Sequence, residues 1–539
     1  MRGRLLPDGA ELAQTGAAAY DDARRLAGRL ARLAPYALIA LAGLVLVWTQ
    51  TLGLEQSLWG DELHSVIDRI GPGPSGIFAH YIANDHMLFE LLEWVTTGLS
   101  GDHAESAYRL WSILPTIAAA ALMTWWLWGR LGRWTAAAFA VLLATSPMCL
   151  DLGPEGRGYG LGFLAGAMMV VGADRFAWRR THGALALFAG GGLLGICTLP
   201  VIVLPFLGVA GVLLAQRALR RRVLYTVALV GGASLLFYLP VAGGVFSNSS
   251  QQVGARLTWH GVITGPVRGL LAPNVSLLLG NAPVGIAEAI AAALLLLGLV
   301  ALWRRPERLL ALLLAAPALF TYLALKLGGF YVVARFDAHA ELTRFAITNR
   351  FTSYLLLPLL AAVAVALVEL GRRATRRPAG APVVAVCAAG LSLLAFAQFG
   401  ELARNNARLP LESYREVGAI VRGTGLDLTL TNSPSALGLR YYIDGHGRRV
   451  EVLNATELEA QFCSSATGFV YVEHLLGAAS RVDTTCLRQR GATAIPVPER
   501  RGAPMTIYIL PKLPAGAASG DTSGSAGGEP RGGRGAPAA

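Results

Sequence analysis

Lysine is almost absent from this sequence: Lys326 and Lys512 are the only two, and arginine carries the remaining basic charge. Charged residues of all kinds make up only 15% of the 539 residues, whereas 54% are hydrophobic and the mean hydropathy is +0.49. A chain with so little charge is not a set of soluble domains. The composition is typical of an integral membrane protein.

Several familiar signatures are also missing. We find no Walker phosphate-binding loop, no zinc-finger spacing of cysteine and histidine, no internal repeat and no heptad seam. In a soluble protein the net charge of +12 would suggest nucleic acid as a partner. Here the arginines lie in short clusters between apolar runs, which is the pattern that orients membrane proteins.

The five cysteines fall into two groups. Cys149, Cys197 and Cys387 lie in or beside apolar runs, where cysteine is most often a packing residue. Cys463 and Cys486 lie in the polar C-terminal part of the chain. In an oxidising compartment we expect these two to form a disulfide.

Apolar runs near the length that a bilayer needs recur along the chain. We count about eleven, near 36–52, 108–128, 135–150, 160–173, 184–199, 201–214, 223–241, 284–303, 309–325, 351–370 and 381–399. The first run is too long for the core of a signal peptide, and no small-residue cleavage site precedes Trp59, so we predict a retained span. Residues 1–34 are predicted to form an amphipathic segment on the cytoplasmic leaflet.

The distribution of arginine predicts the orientation of the chain. Every second loop is rich in arginine, with the clusters at Arg130/Arg133, Arg175/Arg179/Arg180, Arg217/Arg220/Arg221/Arg222, Arg304/Arg305/Arg308 and Arg372/Arg373/Arg376/Arg377. We therefore predict a multi-pass protein of the plasma membrane with a cytoplasmic N-terminus and an exterior C-terminus.

The composition changes after about residue 400. Alternating segments predict strands near 426–431, 440–443, 450–453, 468–472 and 505–510, with helices near 411–422 and 457–462 between them. The sequence thus predicts an α-helical polytopic membrane domain at 35–400, with a first outer loop at 53–106. It also predicts a small extracytoplasmic α/β domain at 401–514 and a disordered tail at 515–539.

The unusual polar residues all fall in loops assigned to the exterior. Asp61 and Glu62 follow the first span directly, and an ionisable group at such a position is by default a candidate for function. Nucleotide sugars are not ordinarily supplied on that face, so an enzyme there must take its activated donor from the lipid. This favours a polyprenyl-phosphate carrier. Asp61 would accept the proton of the acceptor hydroxyl, and Arg157 and Arg350 would stabilise the departing phosphate.

Five short motifs occur in a consistent order and on one predicted side. They are Trp59-x-Asp61-Glu62, Asn84-Asp85-His86-x-Leu88-Phe89, Arg109-Leu110-Trp111-Ser112, Glu155-x-Arg157-x-Tyr159, and Asn349-Arg350-Phe351 followed by Tyr354 and Pro358. Together they resemble the GT-C glycosyltransferases, in particular the branch related to protein O-mannosyltransferases and lipid A aminoarabinose transferases. The resemblance covers roughly residues 36–370. The chain departs from the family pattern at Gly156, where alanine is usual, and at Phe351, where tyrosine is usual.

The resemblance implies a GT-C fold and an inverting transfer from a polyprenyl-phosphate sugar, with Asp61 and Glu62 as the catalytic residues and Asp61 as the base. It implies donor phosphate and lipid contacts from Arg157, Tyr159, Arg350 and Tyr354, and substrate positioning by Asp85, His86, Glu155 and Arg109. Asp61, Glu62 and Asp85 are candidate ligands for Mg²⁺ or Mn²⁺, which favour hard oxygen ligands. Some members of the family need no metal, so the requirement stays open.

These observations favour a glycosyltransferase whose acceptor is an extracytoplasmic glycan, lipoglycan or protein. The Ala/Gly/Arg-rich composition fits a high-GC bacterium, which makes mannose or arabinose the preferred sugars. One alternative is a transporter or flippase of lipid-linked sugars, although transporters place charged sites near mid-membrane. Another is an inactive GT-C-like scaffold.

Each site residue also has a plainer interpretation. Asp61 and Glu62 could be a solvated helix cap, and His86 could be a helix-start residue. Arg157 and Arg350 could extend to the lipid headgroups as anchors.

Overall fold

The structure is a computed structural model. It describes residues 32–54, 56–82, 85–100, 105–244, 255–256, 259–327, 331–332, 350–375, 390, 393–405, 412–431, 436–443, 449–465, 467–473, 482–498 and 505–512. The chain divides into two compact units, Met1–Pro410 and Leu411–Ala539. Most of the predicted N-terminal segment, and the whole of the predicted tail at 515–539, lie outside the described residues.

The first unit is helical. Its α-helices are α1 (Arg32–Leu52), α2 (Gly60–His64), α3 (Pro74–Ile77), α4 (Met87–Ser100), α5 (Leu110–Leu131), α6 (Arg133–Ala144), α7 (Pro147–Leu152), α8 (Tyr159–Arg179), α9 (His182–Thr198), α10 (Val203–Leu214), α11 (Arg220–Tyr238), α12 (Trp259–Pro266), α13 (Ala272–Leu278), α14 (Val284–Trp303), α15 (Arg308–Leu327), α16 (Leu356–Thr375) and α17 (393–405). Single turns of 3₁₀ or π-helix extend several of them, at Ser65–Ile70, Ala107–Arg109, Pro200–Ile202, Leu239–Val241, Val267–Leu271 and Arg350–Leu355. A two-stranded antiparallel ribbon joins β1 (Ala255–Arg256) to β2 (Tyr331–Val332).

Seven helices in the described part of the chain are long and apolar enough to cross a membrane, fewer than the eleven predicted. Three further predicted runs form shorter apolar helices, at Arg133–Ala144, His182–Thr198 and Pro200–Leu214. The first of these ends earlier than predicted, because Pro147 begins a new helical segment and disfavours helix at the residue before it. The other two match the predicted runs, and Pro200 lies at the boundary between them. The predicted run at 381–399 lies largely outside the described residues. The chain is therefore a helical polytopic membrane protein with about seven candidate spans.

Helices α8 and α16 lie at the centre of the first unit. The apolar windows of these two spans are 78% and 72% buried, whereas that of α14 is 22% buried. Small residues allow the close packing of α8. A methyl group added at Gly172 would clash with the backbone of Phe188 in α9, so the two helices approach nearly backbone to backbone. The exposed faces of α1, α11 and α14 are apolar, as a lipid environment requires.

The arginine-rich turns meet at one end of the helices. Arg130, at the end of α5, bonds Asp174 near the end of α8 and also Glu307, just before α15. Trp126 donates its indole N–H to the same Asp174 carboxylate at 2.9 Å. Arg305 bonds Glu369 of α16 at 2.7 Å. These contacts join four turns that the arginine pattern assigned to one side of the membrane.

The second unit is a five-stranded mixed sheet with helices. Its elements are α18 (Tyr414–Gly423), β3 (Leu428–Thr431), α19 (Ala436–Ile443), β4 (Arg449–Val452), α20 (Ala455–Ser464), β5 (Phe469–Glu473), α21 (Thr485–Gln489), β6 (Thr493–Val497) and β7 (Met505–Leu510). The strand order is β4-β3-β5-β7-β6, with β3 parallel to β4 and β5, and β7 antiparallel to β5 and β6. Cys463 and Cys486 form a disulfide between α20 and α21, with a Cα–Cα distance of 5.3 Å.

One strand prediction in this unit is wrong. Residues 440–443 alternate like a strand, but they form the end of α19. Leu439, Tyr442 and Ile443 are buried hydrophobic residues of that helix, and their spacing is helical. The strand Thr493–Val497 was not predicted, because its exposed residues and Pro496 give little alternation.

Candidate active site

The short helix α2 holds Asp61 at the end of the first span. Leu58, Trp59 and Leu63 are buried around it and fix its position, while the Asp61 side chain stays partly exposed. Trp59 stands at the N-cap with an extended backbone. Its backbone N–H donates to the Glu62 carboxylate at 3.1 Å, which closes the first turn.

The Glu62 carboxylate is buried and fully engaged. Arg109 donates to it twice, from Nη2 at 2.9 Å and from Nε at 3.3 Å. The backbone N–H of Gly156 also donates to Glu62 Oε1. Glu62 therefore joins three separate stretches of chain, and this geometry gives it a structural part in the site. The predicted catalytic role of Glu62 stays a prediction.

Arg109 holds the chain that leads from α1 into α2. Its guanidinium donates to the backbone carbonyls of Gly53, Leu54, Gln56 and Ser57 as well as to Glu62. The side chain is 3% exposed and lies where the 3₁₀ turn before α5 ends. The start of α5 is thereby fixed against the end of α1.

Arg157 reaches Asp61 from the loop before α8. It is fully buried, and its Nη1 donates to the backbone oxygen of Asp61 at 2.8 Å. The same nitrogen lies 3.5 Å from Ser65 Oγ. Ser112 of α5 fixes the backbone of Arg157, accepting from its N–H at 3.2 Å and donating to its carbonyl oxygen. The two residues predicted as base and phosphate-binding cation are thus in contact through the backbone of the first.

His86 ties the first outer loop to the loop that carries Arg157. Its Nδ1 accepts from the backbone N–H of Gly158 at 3.0 Å, so a neutral His86 carries its proton on Nε2. Its ring meets the ring of Tyr159 edge to face at 4.8 Å. His86 is fully buried, and Glu155 is 6% exposed in the same loop.

Tyr159 and Tyr354 lie along one side of α8. Tyr159, Gly162 and Gly166 share a helix face, and Tyr354 packs against both glycines. Both tyrosines are buried. Arg350 begins the 3₁₀ turn that carries Tyr354, but its side chain lies outside the described residues.

A second buried ion cluster lies beneath α2, and sequence reasoning found only part of it. Asp85 Oδ2 lies 3.1 Å from Arg69 Nη2 in an ion pair, and Glu90 accepts from Arg69 Nε at 3.3 Å. His64 lies 2.8 Å from Asp68 and 3.5 Å from Asp85. Arg69 and Glu90 were missed. The available signal was a charged residue inside an otherwise apolar stretch in each case.

The pKa values of His64 and Glu90 are both raised within this cluster. The hydrogen bond to Asp85 is the largest reason that the pKa of His64 is raised. Burial is the largest reason that the pKa of Glu90 is raised, with the Asp85 charge acting in the same direction and the Arg69 charge opposing it.

The described residues do not fit the predicted divalent cation. Among them, no group of three or more His, Cys, Asp and Glu side chains is arranged to hold a metal ion. Glu62 pairs with the guanidinium of Arg109, and Asp85 pairs with that of Arg69. Two of the three candidate ligands are therefore already neutralised by arginine.

The fold is similar to that of ArnT from Cupriavidus metallidurans. The apo structure of ArnT matches with a TM-score of 0.51 and 12% sequence identity, over 88% of this chain and 97% of ArnT. ArnT bound to undecaprenyl phosphate matches with a TM-score of 0.49 and 13% identity over the same shares. AglB from Archaeoglobus fulgidus matches with a TM-score of 0.46 and 13% identity, over 82% of this chain and 70% of AglB. That structure is an archaeal oligosaccharyltransferase in complex with an inhibitory peptide and a dolichol-phosphate.

No protein-family model matches the chain, and no curated protein matches it in sequence. The likeness to ArnT shows the fold, and it confirms the predicted resemblance at that level.

Proposed function

We propose that this protein is a membrane glycosyltransferase that moves a sugar from a polyprenyl-phosphate donor to an acceptor outside the cytoplasm. The premise is a fold like that of ArnT, a protein that also occurs bound to undecaprenyl phosphate. The observation that carries the proposal is the contact between the Arg157 guanidinium and the backbone of the partly exposed Asp61. The contact brings the buried guanidinium to the residue that carries the proposed base, and the transfer of a sugar from a phosphate requires both a base and a cation.

The reaction is a single displacement. The acceptor hydroxyl attacks the anomeric carbon of the sugar as the bond from that carbon to the phosphate oxygen breaks. The proton of the hydroxyl passes to Asp61, and the leaving polyprenyl phosphate keeps the bonding electrons. Because one substitution occurs, the anomeric configuration inverts, and one well-placed base is sufficient.

The remaining residues position these groups. Arg157 stabilises the charge that develops on the leaving phosphate, and Arg350, Tyr159 and Tyr354 complete the donor site. Glu62 and Arg109 hold α2 against the start of α5, and His86 holds the loop of Arg157. Asp85 and Glu155 complete the substrate-positioning set. Mannose or arabinose is the proposed sugar, and a cell-envelope glycan, lipoglycan or protein is the acceptor. The proposed location is the plasma membrane, with the site on the exterior.

A transfer assay tests the proposal. Purified protein would be given radiolabelled polyprenyl-phosphate mannose or arabinose with a mixed envelope glycan acceptor. We expect Asp61→Asn to lower turnover by about 10²–10⁴ while the protein stays folded, because general base catalysis contributes about that factor. Arg157→Ala should lose turnover as well.

Asp68→Asn is the matched control. It makes the same chemical change two turns further along the same helical stretch, on a side chain that is more exposed. Equal turnover by wild type and Asp61→Asn would refute the assignment of the base. Uptake of a lipid-linked sugar without any transfer product would favour the transporter instead.

A further inference from the structure

Glu90 is a buried carboxyl group that the proposed reaction does not use directly. It lies on α4 and is fully buried. One oxygen accepts from Arg69 Nε at 3.3 Å. The other accepts from Ser65 Oγ at 3.2 Å and from the backbone N–H of His86 at 3.4 Å. Glu90 is thus fixed on both oxygens.

Ser65 connects Glu90 to the reaction site. Its hydroxyl donates to Glu90 and lies 3.5 Å from Arg157 Nη1. That same nitrogen donates to the backbone oxygen of Asp61 at 2.8 Å. One chain of contacts therefore runs from a buried carboxyl, through a hydroxyl, to the guanidinium that is proposed to bind the donor phosphate.

The charges around Glu90 make its ionisation sensitive to what binds at Arg157. Asp85 opposes the charged form of Glu90, while Arg69 and Arg157 favour it. His64 faces Asp85 from α2, and the phenols of Tyr81 and Tyr238 are the other titratable neighbours. A phosphate beside Arg157 would cancel part of the positive field that favours the ionised form of Glu90. In a buried site, with an effective dielectric constant well below that of water, that loss is substantial.

We propose that Glu90 is a positioning residue for Arg157, and that it takes up a proton from solvent when an anionic phosphate binds beside that arginine. The inference rests on the proposed function, because it takes Arg157 as the residue that contacts the donor phosphate. Glu90 holds the Ser65 hydroxyl, and Ser65 in turn holds the Arg157 guanidinium. The charge of Glu90 sets the net positive charge around the bound phosphate. Donor binding and proton uptake are therefore linked.

Calorimetry with the full-length protein tests this directly. Farnesyl monophosphate would be titrated into detergent-solubilised protein between pH 5.5 and pH 9, in pairs of buffers that differ in ionisation enthalpy. We expect wild type to take up more protons than Glu90→Gln at the same pH. Glu90→Gln should bind the phosphate about tenfold more tightly than wild type at high pH, and the difference should vanish at low pH. The titration of the free phosphate is the same in both experiments, so the difference between the two proteins reports Glu90 and its coupling to the bound phosphate.

Glu93→Gln is the matched control. Glu93 lies on the same helix three residues further on and is equally buried, but its hydrogen bond goes to the backbone of Trp111. This variant should bind the phosphate with the pH dependence of wild type. A shift equal to that of Glu90→Gln would overturn the proposal, because any buried carboxyl would then have the effect.

A second variant covers the positioning step. Ser65→Ala removes the hydroxyl but leaves the Glu90–Arg69 ion pair in place, so it avoids the loss of folding that breaking a buried pair can cause. We expect it to weaken phosphate binding at every pH while the proton uptake persists. Unchanged affinity in Ser65→Ala would overturn the positioning role.

The outcomes separate this inference from the proposed function. If wild type and Glu90→Gln bind the phosphate with the same pH dependence and the same proton uptake, the inference is overturned. The proposed donor is unaffected by that result. Wild type that does not bind the phosphate at all would contradict the proposed donor, and the inference with it.

Discussion

Two buried glutamates of the first unit differ in the number of hydrogen-bond donors that their carboxyl groups meet. Glu62 and Glu93 are both about 0–1% exposed. Glu62 accepts from Arg109 and from two backbone N–H groups. Glu93 accepts only a long bond from the backbone N–H of Trp111, and in the described part of the chain its other oxygen has no hydrogen-bond partner. Desolvation accordingly raises the pKa of Glu93 to about 8.

This carboxyl predicts a pH dependence of stability. The pKa of Glu93 in the folded protein lies above its ordinary value of 4.5. The contribution of Glu93 to the free energy of unfolding is therefore fully present below about pH 4.5, and it is lost as the pH rises towards 8. Glutamine has the shape of the protonated acid and does not ionise. We expect Glu93→Gln to match the thermal unfolding midpoint of wild type near pH 5 and to exceed it at pH 8.5, measured in detergent.

The exposed Glu401 provides the control for that measurement, because Glu401→Gln should follow the pH course of wild type. If Glu93→Gln and wild type melt together at pH 8.5, Glu93 is ionised or solvated in the folded protein and the argument from burial fails.

At the residue scale, membrane side and motif order were sufficient to nominate Asp61 and Arg157 separately, and the structure brings them into contact. The partners of the buried carboxylates were harder to predict. Arg69 and Glu90 are 21 residues apart, and their pairing depends on how α4 folds back beneath α2. A single sequence shows that each is a charge among apolar neighbours, but it does not show which charge each one meets.

At the scale of one element, the loop before α8 depends on glycines for its fit. A methyl group at Gly158 would meet Thr198 and would lie 2.7 Å from His86 Nδ1, which accepts the N–H of that same glycine. A methyl group at Gly156 would lie 3.0 Å from the Tyr108 carbonyl oxygen and 3.1 Å from Glu62 Oε1. A methyl group at Gly158 would therefore force its neighbours to move away. A methyl group at Gly156 would require its neighbours to shift by only a few tenths of an ångström.

These two glycines give a matched pair of variants. We expect Gly158→Ala to lower transfer activity at least tenfold, because moving His86 also moves the loop that carries Arg157. Gly156→Ala should keep most of the activity, and alanine is the usual residue there in the family that the sequence resembles. The check is turnover of both variants under saturating donor, with thermal unfolding to confirm that each is folded. Equal loss in both would mean that the loop tolerates no side chain at either position.

Helices were predictable where the apolar run was long, and strands were less predictable where the alternation covered only a few residues. Ten of the apolar runs correspond to helices in the described part of the chain, because a run of that length has few alternatives. The length of the run at 135–150 was not predicted correctly, since Pro147 divides it. The four-residue alternation at 440–443 could not distinguish a strand from the end of a helix.

At the scale of the whole molecule, the candidate site and the arginine-rich cluster lie at opposite ends of the same helices. Helix α5 runs 22 residues from Arg109 to the turn near Arg130, and α8 runs 21 residues from Tyr159 to Arg179. At 1.5 Å per residue each is about 30 Å long, which is the thickness of the hydrocarbon core. The bonds of Arg130 to Asp174 and Glu307 therefore belong to one membrane surface, and Asp61 and Arg157 belong to the other.

That separation predicts which surfaces a membrane-impermeant reagent reaches. Ser75, after the π-turn that follows α2, and Arg217, between α10 and α11, are both exposed. Since arginine-rich loops stay in the cytoplasm, Ser75→Cys should react with an impermeant maleimide on intact cells, whereas Arg217→Cys should react only after permeabilisation. The parent protein is the control for its own cysteines, of which Cys149 and Cys197 are buried. The opposite labelling would place Asp61 on the cytoplasmic face, where soluble nucleotide sugars are at hand and a lipid-linked donor is no longer required.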